Sequence, residues 1–99
     1  MAVAYFQQWP GATREMAQGV SDRINARTGG SPPEGAIFHA EGEAEGSWWA
    51  FDVWESEDAA RRFYDETLKP AAEAVGAPRD QTRTLSVHWH SLEAPTAAG

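Results

Sequence analysis

Residues 38–56 read FHAEGEAEGSWWAFDVWES, with bulky apolar and polar side chains alternating on either side of a short connection rich in Gly and Glu. Alternation is the period of a β-strand, so the stretch predicts two strands, AIFHAEG and SWWAFDVWE, folded back on each other as a hairpin. A turn centred between Glu45 and Gly46 sets His39 opposite Asp52, Glu41 opposite Ala50 and Ile37 opposite Trp54. Side chains alternate across a strand. Trp48, Ala50, Asp52 and Trp54 therefore share one face of the second strand, and Trp49, Phe51 and Val53 share the other. Directly opposed residues on one face hold their β-carbons about 5 Å apart, close enough for an imidazole to hydrogen-bond a carboxylate. Burying Asp52 among aromatic rings is costly without a partner. His39 supplies one.

Outward from the hairpin, VAYFQQW at residues 3–9 predicts a strand stopped by Pro10-Gly11. From Thr13 the period changes. Met16, Val20 and Ile24 recur every four residues, with Arg14, Gln18, Asp22 and Arg23 elsewhere on the wheel, which predicts an amphipathic helix N-capped by Thr13. It ends near RTGG, where Gly29 can take the left-handed cap conformation. After the hairpin, Ser56 opens a second helix. Glu57 and Asp58 complement its dipole, and each pairs with an arginine four residues on. Pro70 cannot continue that helix unbroken, so PAAEAVG is expected as a short separate helix beginning at Pro70. TLSVHWH is the expected last strand, and residues 92–99 a loose tail after a single domain spanning 1–91.

The order β-α-β-β-α-β is that of an α+β, ferredoxin-like split βαβ unit. Right-handed crossovers give a four-stranded antiparallel sheet in the order 4-1-3-2, with both helices on one face. The other face is left bare. A chain of 99 residues builds only a modest core, so a second copy of the chain is the expected cover.

The composition narrows the partners. The net charge of −7, with basic residues scattered rather than clustered, disfavours a nucleic-acid backbone. No stretch reaches the twenty or so apolar residues of a membrane span. MAVAYFQQWP lacks the basic and long apolar regions of a signal peptide. There is no cysteine, which removes disulfides and thiolate metal sites and fits a cytoplasmic location. The expected partners are a small hydrophobic molecule and a second copy of the chain, with no nucleic acid and no membrane.

The face that carries Trp48, Trp54 and Ile37 also carries His39 and Asp52, a mostly aromatic lining with a few convergent polar groups, as in a small-molecule cavity. The second helix offers Phe63 and Tyr64 to the same lining, and the last strand offers His88. Two readings of His39–Asp52 stand side by side. One is a satisfied polar pair that fixes strand register or a dimer contact. The other is general acid–base work, with Asp52 orienting His39 and stabilising its protonated form while His39 moves a proton on a substrate. His88-x-His90 has the spacing of a chelating pair, but two histidines without a thiolate supply too few ligands, so no metal site is expected. Trp9 beside Pro10 reads as a turn staple. EGEAEG lacks the ligand spacing of a calcium loop and reads as a solvated hairpin tip.

FHAEGEAEGSWWAFDVWES, then a helix with Phe63 and LKPAAEAVG, then a closing SVHWH, resembles the small dimeric α/β-barrel proteins. These are the antibiotic-biosynthesis-type monooxygenases, related cyclases and isomerases, and haem-binding relatives. Within them the chain looks like a group of short actinobacterial-type proteins with a G-W…DVWES…F core, over Val3 to about His90. The resemblance implies two sheets joined into one barrel across a dimer interface, and a ligand cavity between sheet and helices in each subunit. It sets His39, Trp48, Asp52 and Trp54 on core positions. One departure matters. Quinone-forming, cofactor-free oxygenases of this group rely on an asparagine and tryptophan arrangement, and the one asparagine here, Asn25, lies on the first helix. The expectation is a cofactor-independent monooxygenase, cyclase or isomerase acting on a hydrophobic aromatic or polyketide-like substrate, with His39 and Asp52 as catalytic residues and no cofactor. The alternative is a non-catalytic dimer that binds a ligand or haem, or is purely structural.

Overall fold

The structure, a computed structural model, describes residues 1–88. Strand β1 (Val3–Pro10) leads through Thr13 into helix α1 (Arg14–Thr28), then come β2 (Ala36–Ala44), β3 (Ser47–Trp54), α2 (Glu57–Phe63), a π-helical turn (Tyr64–Leu68), α3 (Lys69–Ala74) and β4 (Gln81–Ser86). The sheet is antiparallel in the order β2-β3-β1-β4, the expected order read from the other edge. β1 and β3 are its centre, and they carry much of the buried surface, including Ala4, Trp9, Ala50, Val53 and Trp54.

Local chemistry fixes the elements. The Thr13 hydroxyl accepts from the Met16 N–H at 3.2 Å, and Gly29, at φ 69°, closes α1 by donating its N–H to the Asn25 carbonyl. The Ser56 hydroxyl caps α2 by accepting from the Ala59 N–H at 3.1 Å. Gly35 stands at φ 82°, and a β-carbon there would lie 2.7 Å from that of Ala59. Only glycine lets the start of β2 pass so close to α2 while its carbonyl accepts from the Glu55 N–H.

Three local expectations are corrected. The hairpin pairs His39 with Asp52 and Glu41 with Ala50 as expected, but Trp54 pairs with Ala36, because a bulge between Ala36 and Phe38 leaves Ile37 as the extra residue. PAAEAVG is not a separate helix. The chain runs from α2 to α3 through the π-helical turn, in which the Lys69 N–H donates to the Tyr64 carbonyl five residues back. Pro70 has no N–H, and its ring would collide with the carbonyl four residues before it, so a locally widened turn carries the helix past the proline without a break. Finally, β4 begins at Gln81 and ends at Ser86, where TLSVHWH had placed the strand later. Trp89, His90 and the tail 92–99 lie outside the described residues.

Both faces of the sheet are now defined. α1 packs mainly against α3 and the π-helical turn, and none of its residues is buried. It stands over the sheet rather than down on it. The far face carries Phe6, Phe38, Trp49, Phe51 and Leu85, with Phe38 48% exposed and its ring edge-on to Phe51 at 6.5 Å.

Candidate functional site

The space between α1 and the sheet is a cavity of about 530 Å³. Its roof is the apolar stripe of α1, Met16, Val20 and Ile24, and Phe63 and Leu68 close one end. Those two are five residues apart, the spacing that a π-helical turn brings to one side of a helix. Phe63 also stacks on Trp54 with ring centroids 5.2 Å apart.

The strand register draws the floor as a grid. Tyr5, Asp52 and His39 form one row across β1, β3 and β2; Gln7, Ala50 and Glu41 form the next; Trp9, Trp48 and Glu43 form the third. Neighbouring strands lie roughly 5 Å apart. Ala50, the smallest of these side chains, leaves the depression at the centre, and Gln7, Trp48, Asp52 and Glu41 surround it.

A line of hydrogen bonds crosses this floor. His39 Nδ1–H donates to Asp52 Oδ1, His39 Nε2–H donates to Glu41 Oε2 at 2.5 Å, and Trp48 Nε1–H donates to Glu41 Oε1 at 3.0 Å. The Asp52 side chain is only 10% exposed, that of His39 54%. The hydrogen bond to Asp52, then that to Glu41, pushes the His39 pKa up to about 10, against the opposing effect of burial. Hydrogen bonding to His39 in turn pulls Glu41 below the usual carboxylate range. At neutral pH His39 is an imidazolium with both N–H groups engaged. It can donate a proton or a hydrogen bond, but it is not available as a base. Neither ring nitrogen is a free iron ligand, and among the described residues no group of three or more His, Asp or Glu side chains is placed to hold a metal ion. A Glu41→Gln variant should lower the His39 pKa while leaving it above the ordinary 6.5, because Asp52 remains. NMR titration of the His39 ring reads this directly, and an unchanged midpoint would show that Glu41 carries no weight.

The structure brings together most of the residues singled out from sequence. His39, Asp52, Trp48, Trp54, Ile37 and Phe63 all line the cavity. Tyr64 and His88 do not. Tyr64 turns towards β1 and β4, into a separate hollow with Tyr5, Arg61 and Thr84. Its O–H donates to Asp80 at 2.6 Å, and burial, then that hydrogen bond, raises its pKa above the ordinary phenol value. His88 is exposed beyond the end of β4. Trp9 is no mere turn staple, since it is buried and forms part of the cavity wall.

Two residues at the site escaped sequence reasoning. As part of EGEAEG, Glu41 reads as a solvated hairpin tip, although alternation puts it two residues from His39 on the same face. Gln7 sits in an apolar strand where a polar residue reads as solvent-facing. Its place on the central strand, between Tyr5 and Trp9 on one face, was the signal that it is covered.

No protein-family model matches the sequence, and no curated protein matches it. The fold has solved counterparts. SnoaB, a cofactor-independent oxygenase from Streptomyces nogalater, superposes with a TM-score of 0.64 at 18% identity, over 93% of this chain and 98% of that one. Rv0793 from Mycobacterium tuberculosis gives 0.68 at 15% identity, over 92% and 99%. A dimeric ferredoxin-like protein of unknown function from Thermobifida fusca gives 0.61 at 14% identity, over 88% and 92%. At these identities the likeness establishes a shared ferredoxin-like fold.

Proposed function

We propose that the protein binds a small aromatic or polyketide-like molecule between α1 and the sheet, and acts on it without a bound cofactor, as a monooxygenase or as a proton-moving cyclase or isomerase. The observation that carries this reading is the roof of the cavity. An amphipathic helix normally buries its apolar stripe against its own core. Here Met16, Val20 and Ile24 remain partly exposed over a space of about 530 Å³, a volume suited to a ligand of a few fused rings.

The polar floor suggests what is done there. Glu41 occupies the outward N–H of the His39 imidazolium and the Trp48 N–H together. A ligand bearing an acidic phenol or enol hydroxyl can take that carboxylate's place as its oxyanion, its proton leaving to water at the half-exposed edge of the site. Its oxyanion then rests on two N–H donors, one of them charged, at the half-exposed edge of the cavity. The enolate or phenolate is the shared reactive form for attack on dioxygen, for ring closure and for reprotonation at carbon. The solved oxygenase of the same fold makes the first of these a natural candidate.

The bare, aromatic far face fits a homodimer in which two sheets pack into one barrel, and a structural neighbour is described as dimeric. Tryptophan fluorescence titrated with a dihydroxynaphthalene tests binding, and oxygen uptake with the same compound tests oxygenation. Hydrogen–deuterium exchange at the carbon next to the carbonyl of α-tetralone tests proton transfer. Quenching with either activity supports an enzyme. Quenching with neither leaves a binding protein, and no quenching removes the cavity reading altogether.

A further inference from the structure

Gln7 is 1% exposed, the largest fully buried side chain among the described residues, and its Nε2 has no hydrogen-bond partner among them. A buried amide without a partner is uncommon, because the lost hydration is not repaid. This one belongs to the cavity wall. It stands in the same row as Ala50, whose short side chain leaves the space above the floor open, and as Glu41 on the opposite side. The walls nearest it along β1 and β3 are Trp9 and Trp48. An unpaired amide N–H in the wall of an aromatic-lined space is complementary to one feature above all, an acceptor oxygen on a flat apolar molecule.

We infer that Gln7 is the residue that reads the ligand, donating its amide N–H to a carbonyl oxygen, so that the cavity selects aromatic ketones or quinones over the corresponding hydrocarbons. This rests on the proposed ligand cavity and narrows the substrate class within it. Across the floor the strands of Gln7 and Glu41 are separated by one strand, roughly 10 Å apart. A carbonyl held at Gln7 therefore leaves the opposite edge of a fused-ring ligand at the His39–Glu41 end, where the acidic hydroxyl is handled. Gln7 makes no part of the proton transfer. It sets orientation and selectivity.

A matched pair of bicyclic probes, α-tetralone and tetralin, differs by a single carbonyl. Calorimetric titration of the wild type should show tetralone bound about tenfold more tightly, the usual discrimination when a buried donor would otherwise stay unpaired. In Gln7→Met, which keeps the length and removes the amide, tetralone should weaken about tenfold while tetralin stays unchanged or tightens. The same variant should melt a few degrees higher, since it removes an unpaired buried polar group. Gln7→Leu repeats the test with a second apolar side chain of similar size. Equal affinities for the two probes in the wild type, or equal losses in the variant, would overturn the assignment while leaving the cavity intact. A lowered melting temperature would overturn it too, by showing that the amide serves the fold. Failure of both probes to bind would instead count against the cavity reading on which the inference rests.

Discussion

Replacing His39 with alanine lowers the unfolding free energy by about 2 kcal/mol at neutral pH, because it strands the buried Asp52 carboxylate. A fully buried pair broken on one side loses roughly 3–5 kcal/mol. The lower figure applies here because half of the imidazole is in contact with water, which screens the pair. The pH profile is the sharper signature. In the folded protein His39 keeps its proton to about pH 10, against about 6.5 in the unfolded chain. Below pH 6.5 both states are protonated and the contribution of the pair is fully present. Between those two values only the folded state holds the proton, so the wild type loses stability as pH rises. Urea unfolding across that window should show the decline in the wild type and its loss in His39→Ala. A wild-type profile that is flat there would remove the charged pair from the account.

The second large effect concerns the far face. The wild type should sediment as a dimer, twice the 10.8 kDa of the chain. Phe38→Glu should convert it to a monomer at micromolar concentration. A charge placed in an aromatic two-fold interface is introduced twice, and single aromatic anchors are commonly worth about 2 kcal/mol or more each, so the dissociation constant should rise by roughly a thousandfold. Phe38 is already 48% exposed within one chain, so its replacement leaves the chain's own packing largely intact. A wild type that sediments as a monomer would exclude the barrel, and a variant that stays dimeric would move the interface elsewhere.

Much of this architecture was legible from periodicity alone. The switch between a two-residue and a four-residue period located β1, α1 and the hairpin. Once the turn at Glu45-Gly46 was placed, the opposition of His39 and Asp52 followed, since register on a half-buried sheet leaves little freedom. What was missed has physical causes. The bulge at Ile37 inserts one residue without disturbing the alternation beyond it, so nothing in the pattern marks it. The π-helical turn depends on how the backbone accommodates Pro70, and it decides that Leu68 joins Phe63 while Tyr64 turns away. The role of Gln7 is invisible to a pattern that counts glutamine as polar and therefore exposed. Gln7 is buried all the same, on a central strand beside Trp9 and Trp48. The second carboxylate on His39 was hidden in the same way, by a glutamate-rich run that reads as solvent-facing.

The claim on which the rest depends is that the space beneath α1 is built for an occupant. A crystal structure of the protein grown with saturating α-tetralone tests it most directly. The bicyclic ring should lie over Ala50, between Met16 and Val20 above and Trp48 below. An empty cavity, or tetralone ordered only on the far face around Phe38 and Phe51, would contradict it.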